Sequence, residues 1–149
     1  MNFFESLVLG LQQWEWFGML LARLAVGLLF AISGYGKITV AEKRAQMQET
    51  VKSAGVPFPK LNATFVSWVE LIFGVLLMIG FLTPLACLML SGVMAVAIFT
   101  VKLKSIESKS LMGWLGEFLF IPDVLYLVIL IWLFFSGAGL LSVDWLLMT

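Results

Sequence analysis

The chain has 149 residues, of which 62% are apolar and only 12% are charged, with nine basic residues balanced by nine acidic ones. Soluble domains are about 45–50% apolar with glycine counted and about 25% charged. A soluble domain of this size could not bury so much apolar surface, nor cover its exterior with so few charges. The composition therefore excludes a soluble globular domain and indicates an integral membrane protein in contact with the lipid bilayer.

Histidine and cysteine, which supply many catalytic and metal-binding groups in proteins, are absent or nearly absent from the sequence. The sequence contains no histidine, and Cys87 is its single cysteine. This excludes histidine-ligated haem and copper, most zinc and non-haem iron sites, and nucleophiles activated by histidine. It also excludes a thiol pair, and the neutral charge balance argues against a nucleic-acid partner. We expect no metal site and no intrinsic cofactor, so any redox role needs a borrowed cofactor or a partner subunit.

In chain order, the first predicted element is a short helix within residues 1–15. Its apolar residues recur at helical spacing and include Phe3, Phe4, Leu7, Val8, Leu11 and Trp14. Such a segment is typical of a helix lying in the membrane interface. A second interfacial helix is predicted in the first long loop, where Val40, Met47, Val51 and Ala54 share a helical face that ends near Gly55 and Pro57.

Four apolar runs have about the 20 residues that a membrane-spanning helix needs. They lie at Trp16–Tyr35, Phe65–Leu82, Leu85–Val101 and Phe118–Phe135. Backbone polar groups in lipid must be satisfied within the segment, so the runs are predicted to be helices. Thr83 as N-cap and Pro84 in the first turn predict a tight hairpin between the second and third spans. The expected fold is all-α: one domain over residues 1–149, an integral membrane four-helix bundle with the two interfacial helices.

The basic residues are sorted to one side of the predicted membrane. Residues 36–64 and 102–117 hold eight of the nine, whereas the N-terminus, the hairpin and the C-terminus hold none. By the positive-inside rule the two long loops face the cytoplasm and both termini face outward.

Three charged residues fall well inside predicted spans, where a charge costs a few kcal/mol and is a functional candidate by default. They are Arg23, Glu70 and Asp123. Each shares a helical stripe with glycines, which let helix backbones approach closely. The stripes are Arg23, Gly27, Phe30, Gly34 and Lys37; Glu70, Gly74, Leu77 and Phe81; and Asp123, Tyr126, Leu130 and Gly137.

Two interpretations of these charges stay open. In the first, Arg23 forms a buried ion pair with Glu70 or Asp123 that only fixes which helices are neighbours. In the second, Arg23, Glu70, Asp123 and Tyr126 line a polar pocket that binds a quinone headgroup or relays protons. The residues alone do not decide between them, and both can hold at once.

Several segments resemble the DoxX family of membrane proteins. The resemblance rests on Arg23–Phe30 followed by Gly34 and Lys37, on Gly55–Pro59, on Glu70–Gly74, on Gly80–Thr83 and on the ending Gly137–Asp144. The motif positions carried over are Gly27, Gly34, Lys37, Pro57, Pro59, Gly74, Ser142 and Asp144. Two positions depart from many relatives: Pro84 replaces an arginine, and Lys102 stands near where several have histidine.

The resemblance implies a four-helix protein of the bacterial cytoplasmic (inner) membrane. Members of the family include the large subunit of a thiosulfate:quinone oxidoreductase and a component of mycobacterial membrane oxidoreductase complexes, while others have no assigned activity. Related eukaryotic proteins are cargo receptors or receptor-assembly chaperones. The expected function is therefore a membrane subunit of an oxidoreductase system, with a quinone as candidate ligand and a redox subunit as candidate partner. The alternative is a non-catalytic scaffold or assembly partner, and a homo-oligomer is a further candidate state.

Overall fold

The computed structural model describes residues 2–149, except the side chain of Phe4, and within this range it forms eight α-helices and no strand. Met1 and the Phe4 side chain, which belong to the predicted N-terminal helix, lie outside the described part. The helices are α1 Phe3–Gln12, α2 Glu15–Thr39, α3 Ala41–Ser53, α4 Pro59–Ile79, α5 Thr83–Ala97, α6 Leu111–Leu119, α7 Pro122–Ser136 and α8 Val143–Met148. A π-helical turn, Ile98–Lys102, and a 3₁₀ turn, Leu103–Ser105, continue α5. The predicted all-α class is confirmed.

Three helices are long and apolar enough to cross a membrane: α2, α4 and α5 with its extension to Ser105. A fourth span is reached only if α6 and α7, which are bent by 66° at their junction, count as one broken span. The prediction of one continuous helix over Phe118–Phe135 is therefore wrong. Pro122 has no N–H to donate and restricts Ile121 to extended backbone (φ −71°, ψ 115°), so the helix ends and restarts there.

The α4–α5 hairpin turns on two residues with left-handed backbone conformations. Gly80 ends α4 at φ 68°, and Leu82 precedes α5 at φ 50°. Thr83 is the first residue of α5 and Pro84 follows it within the first turn. The prediction that Thr83 is the N-cap is wrong, because Leu82 holds that position and the capping group comes from elsewhere in the chain.

Helices α2 and α4 pack closely against each other, and three glycines lie in their contact. A Cβ on Gly34 would be 2.5 Å from the backbone N of Leu71, and one on Gly74 would be 2.6 Å from the backbone N of Ala31. A Cβ on Gly27 would be 2.8 Å from the Gly74 carbonyl. The charge-bearing stripes of these two helices therefore face each other, as their spacing predicts.

The remaining helices close the bundle around a small apolar core. Helix α5 packs between α4 and α7, and α3 packs on the ends of α2 and α4. The core consists of Val26, Phe30, Leu77, Ala86, Cys87, Leu90, Met94, Leu130 and Leu133. We call the end that contains Gly80–Thr83 and α8 the hairpin end, and the end that contains α3 and Lys102 the basic end.

Candidate functional site

Arg23 lies at the hairpin end of α2 and is 2% exposed. Its guanidinium donates hydrogen bonds to the backbone carbonyls of Ala138 and Leu141, in the segment between α7 and α8. The first of the two interpretations, an ion pair of Arg23 with Glu70 or Asp123, is therefore wrong. The buried charge is stabilised by carbonyl oxygens instead, and the same contacts fasten the C-terminal segment over the end of the bundle.

Asp144 binds the hairpin from that same segment. Its carboxylate accepts the backbone N–H groups of Leu82 and Thr83 at 2.7 and 2.8 Å, and its own N–H donates to the Gly80 carbonyl at 2.9 Å. The N-terminus of a helix leaves N–H groups without intrahelical partners, and a carboxylate there also complements the helix dipole. Asp144 is thus the cap of α5, supplied from 61 residues away.

Ser142 completes this end of the molecule. Its hydroxyl accepts the Trp145 N–H and so caps α8, while it donates to the Gly139 carbonyl at 2.7 Å. We call the set Arg23, Gly80, Leu82, Thr83 and Ala138–Asp144 the clasp. The family-like positions Ser142 and Asp144 therefore have structural partners in the clasp.

Glu70 lies in the middle of α4 and is 3% exposed. Lys37 of α2 donates to its two carboxylate oxygens at 2.7 and 2.8 Å, and Ser33 adds a hydrogen bond at 3.0 Å. All three side chains sit on helices of membrane-spanning length. The charge count places Lys37 in the first loop, whereas its position in the Arg23 stripe indicates that it faces α4. No feature of the sequence points to Ser33 as a partner of Glu70.

A second ion pair links α5 and α7 at the same end. Lys102, in the π-helical turn, lies 3.6 Å from Asp123 in the first turn of α7. One turn further along α7, the ring of Tyr126 packs edge-on against Phe30 of α2, with centroids 6.4 Å apart. Asp123 and Tyr126 thus face the bundle, in agreement with their shared stripe.

The depths of these residues follow from the helix rise. Ser33 touches Glu70 and stands ten residues after Arg23 on α2, so Glu70 lies about 15 Å from Arg23 along the bundle. Ser33 is one turn past Phe30, and Asp123 is one turn past Tyr126, both toward the basic end. Because Phe30 and Tyr126 touch, the two ion pairs lie at similar depth.

The predicted four-residue pocket is therefore divided. Arg23 belongs to the clasp, whereas Glu70 pairs with Lys37 and Asp123 pairs with Lys102 at a similar depth, about 15 Å away along the bundle. We call that group the basic-end cluster: Ser33, Lys37, Glu70, Lys102, Asp123 and Tyr126. It contains two carboxylates, two ammonium groups and a phenol; the Lys102 side chain is 43% exposed, whereas Glu70 is 3% exposed.

Comparison with models of protein families shows which family the chain belongs to. A model described as DoxX matches residues 18–103, more than half of the sequence. The chain belongs to the DoxX family. No curated protein and no solved structure matches it significantly.

The DoxX match extends from the first turn of α2 to the end of the π-helical turn. It includes Arg23 and the Lys37–Glu70 pair, while Asp123, Tyr126 and Asp144 lie beyond it. The family identity thus establishes a multi-pass membrane protein with the α2–α4 glycine contact inside the matched region. The clasp and the basic-end cluster each combine matched residues with residues that follow the match.

Proposed function

We propose that this DoxX protein is the membrane subunit of an oxidoreductase system in the bacterial cytoplasmic membrane, and that its basic-end cluster binds a quinone headgroup. The electrons come from a partner subunit, because the sequence has neither histidine nor a thiol pair to hold a redox centre. This chain contributes the membrane site and the proton transfer.

The observation that carries the proposal is the environment of Glu70. A carboxylate that is 3% exposed within a membrane span, held by a lysine and a serine of the adjacent helix, is costly and is a functional candidate by default. Each quinone oxygen takes up one electron and one proton on reduction. Glu70 is the proton carrier in this scheme, while Lys37 stabilises its ionised form between turnovers.

The other members of the cluster bind and orient. The Tyr126 phenol and the ammonium groups of Lys37 and Lys102 are hydrogen-bond donors suited to quinone carbonyls. Asp123 holds Lys102 in place through their ion pair at 3.6 Å. The two long basic loops place this end of the bundle at the cytoplasmic side in our proposal, with both termini outside.

Quinone titration of the purified protein in lipid nanodiscs, followed by tryptophan fluorescence, tests the assignment. We expect Glu70→Gln and Tyr126→Phe each to weaken binding of a short-chain quinone about tenfold, a loss of about 1.4 kcal/mol. Glu42→Gln is the matched control, because Glu42 is exposed on α3 and should leave binding unchanged. Absence of quinone binding by the folded wild-type protein would contradict the proposal.

A non-catalytic scaffold is the second candidate, and the clasp favours it. Arg23 and Asp144 are both engaged in contacts within the chain, and both carboxylate oxygens of Glu70 have partners within the bundle. If native partner subunits co-purify equally with wild type and with Glu70→Gln, and neither binds quinone, the scaffold function is supported instead.

A further inference from the structure

A groove at the basic end lies outside both polar groups described above. It is formed between the last turns of α3 and the first turn of α4 and has a volume of about 600 Å³. Cavities of about 300–1,000 Å³ accommodate small organic ligands. Its walls are amphipathic, because charged residues come from both helices and apolar ones from the start of α4.

The charge of the groove favours an anion. Lys52 lines it from α3 and Lys60 from α4, while Glu49 is the one acidic residue among the lining residues. The ion pairs found within residues 2–149 are Lys37–Glu70 and Lys102–Asp123, so both groove lysines keep their ammonium groups available.

The apolar side of the groove consists of exposed side chains that follow an unusual backbone turn. Phe58 is 78% exposed and Leu61 is 71% exposed. Phe58 has φ 51°, a left-handed conformation that is uncommon for a residue with a side chain. Asn62 fixes this turn, since its side-chain amide donates to the Pro57 carbonyl and its backbone N–H donates to the Phe58 carbonyl.

The position of the groove decides what kind of anion it meets. Helix α4 is one of the membrane-spanning helices and begins at Pro59, so the groove lies where a span emerges from the membrane. At that level lipid phosphates stand beside the first carbons of the acyl chains. Paired lysines next to exposed apolar side chains match both parts of such a molecule.

We propose that the α3–α4 groove binds one anionic phospholipid, with its phosphate between Lys52 and Lys60 and an acyl chain along Phe58 and Leu61. This site is separate from the quinone site proposed for the basic-end cluster, and neither depends on the other.

Native mass spectrometry of the full-length protein released from detergent tests the site, with phosphatidylglycerol and phosphatidylcholine as the added lipids. We expect a retained phosphatidylglycerol adduct that Lys52→Gln/Lys60→Gln weakens about 30-fold, the factor for two lysines at about 1 kcal/mol each. Lys104→Gln/Lys109→Gln is the control, because it removes the same charge from exposed positions in the second loop. Phe58→Asn keeps a residue that tolerates the left-handed turn and should weaken retention by losing the apolar contact.

Three results would overturn the assignment. Equal retention of phosphatidylglycerol and phosphatidylcholine would show that the anionic charge of the lipid does not contribute to binding. Equal losses in the two double-lysine variants show diffuse attraction rather than a site. Displacement of the lipid by millimolar inorganic phosphate, with Phe58→Asn unchanged, indicates a phosphate site without an acyl-chain contact. Unchanged thermal unfolding of the variants shows that they remain folded.

Discussion

Single residues in this protein differ sharply in whether they tolerate an added methyl group. Gly34 faces the backbone of α4, so both atoms nearest to an added Cβ, the N of Leu71 and the O of Ser67, belong to the main chain. Gly92 on α5 has nothing within 4 Å of that position. Backbone atoms cannot rotate aside as side chains do, so α2 and α4 would have to separate.

We expect Gly34→Ala to lower the free energy of unfolding by about 3 kcal/mol, at the upper end of overpacking costs. Gly92→Ala should instead be neutral or raise it by about 0.5–1 kcal/mol, because alanine is the better helix former. Denaturant titration in detergent, followed by circular dichroism, measures both. Equal stabilities of the two variants would show that the close α2–α4 contact is absent.

Asp144 supports a second prediction at the residue scale. Asp144→Ala should lower the free energy of unfolding by about 1–2 kcal/mol, since two N–H groups at the start of α5 lose their acceptor. Asp144→Asn keeps one acceptor oxygen and should lose about half as much. Hydrogen exchange at Leu82 and Thr83 provides the local measurement, and protection that is unchanged in Asp144→Ala would contradict the capping role.

At the scale of helices, one ion pair, Lys37–Glu70, links α2 and α4 in addition to their close glycine contact. Removing one partner leaves an uncompensated buried charge, which typically costs about 3–5 kcal/mol, whereas removing both costs less than the sum. We expect Lys37→Met to destabilise by roughly that amount, and Glu70→Gln to destabilise less because the lysine it leaves is 22% exposed. The double variant should be more stable than Lys37→Met alone. Thermal unfolding of the four proteins forms the double-mutant cycle. Additive losses would mean that the 2.7 Å contact contributes no coupling.

The helices also show what could be predicted from the sequence. Periodicity and apolar length were sufficient for α2, α4 and α5, because these properties follow directly from burial in lipid. The break before α7 was missed because the apolar run continues through Pro122, although that proline was the available signal. The cap of α5 was assigned to Thr83 by a local rule, whereas the actual cap, Asp144, is distant in sequence.

The candidate site was predictable only in part, because helical spacing shows which face of a helix a residue occupies but not which atoms it contacts. Helical stripes correctly placed Arg23 and Glu70 on the inward faces of α2 and α4, but a stripe does not say which partner each charge meets. Arg23 binds backbone carbonyls, which every residue has, so no residue type in the sequence marks them. Glu70 pairs with Lys37, which charge counting had assigned to the loop.

At the scale of the whole molecule, the proposed orientation has a direct test. Cys87 is fully buried, so the wild-type protein should resist a membrane-impermeant maleimide and serve as its own background. We expect Gln46→Cys and Glu107→Cys to be labelled only after the cell membrane is opened, and Leu146→Cys to be labelled in intact cells. All three positions are exposed in the folded chain. The reverse labelling pattern would overturn the orientation.

The clasp also sets the order in which the protein can be completed during synthesis. Arg23 is made 115 residues before Ala138 and 118 before Leu141, the residues whose carbonyls bind it. At about 5–20 residues per second, the ribosome needs roughly 6–23 s to add 115 residues. Throughout that interval the guanidinium lacks its final partners, and the start of α5, once made, lacks its cap until Asp144 is added 61 residues later. The nascent bundle therefore stays open at its hairpin end until the segment Ala138–Asp144 docks, which provides partners for Arg23 and for the start of α5 together.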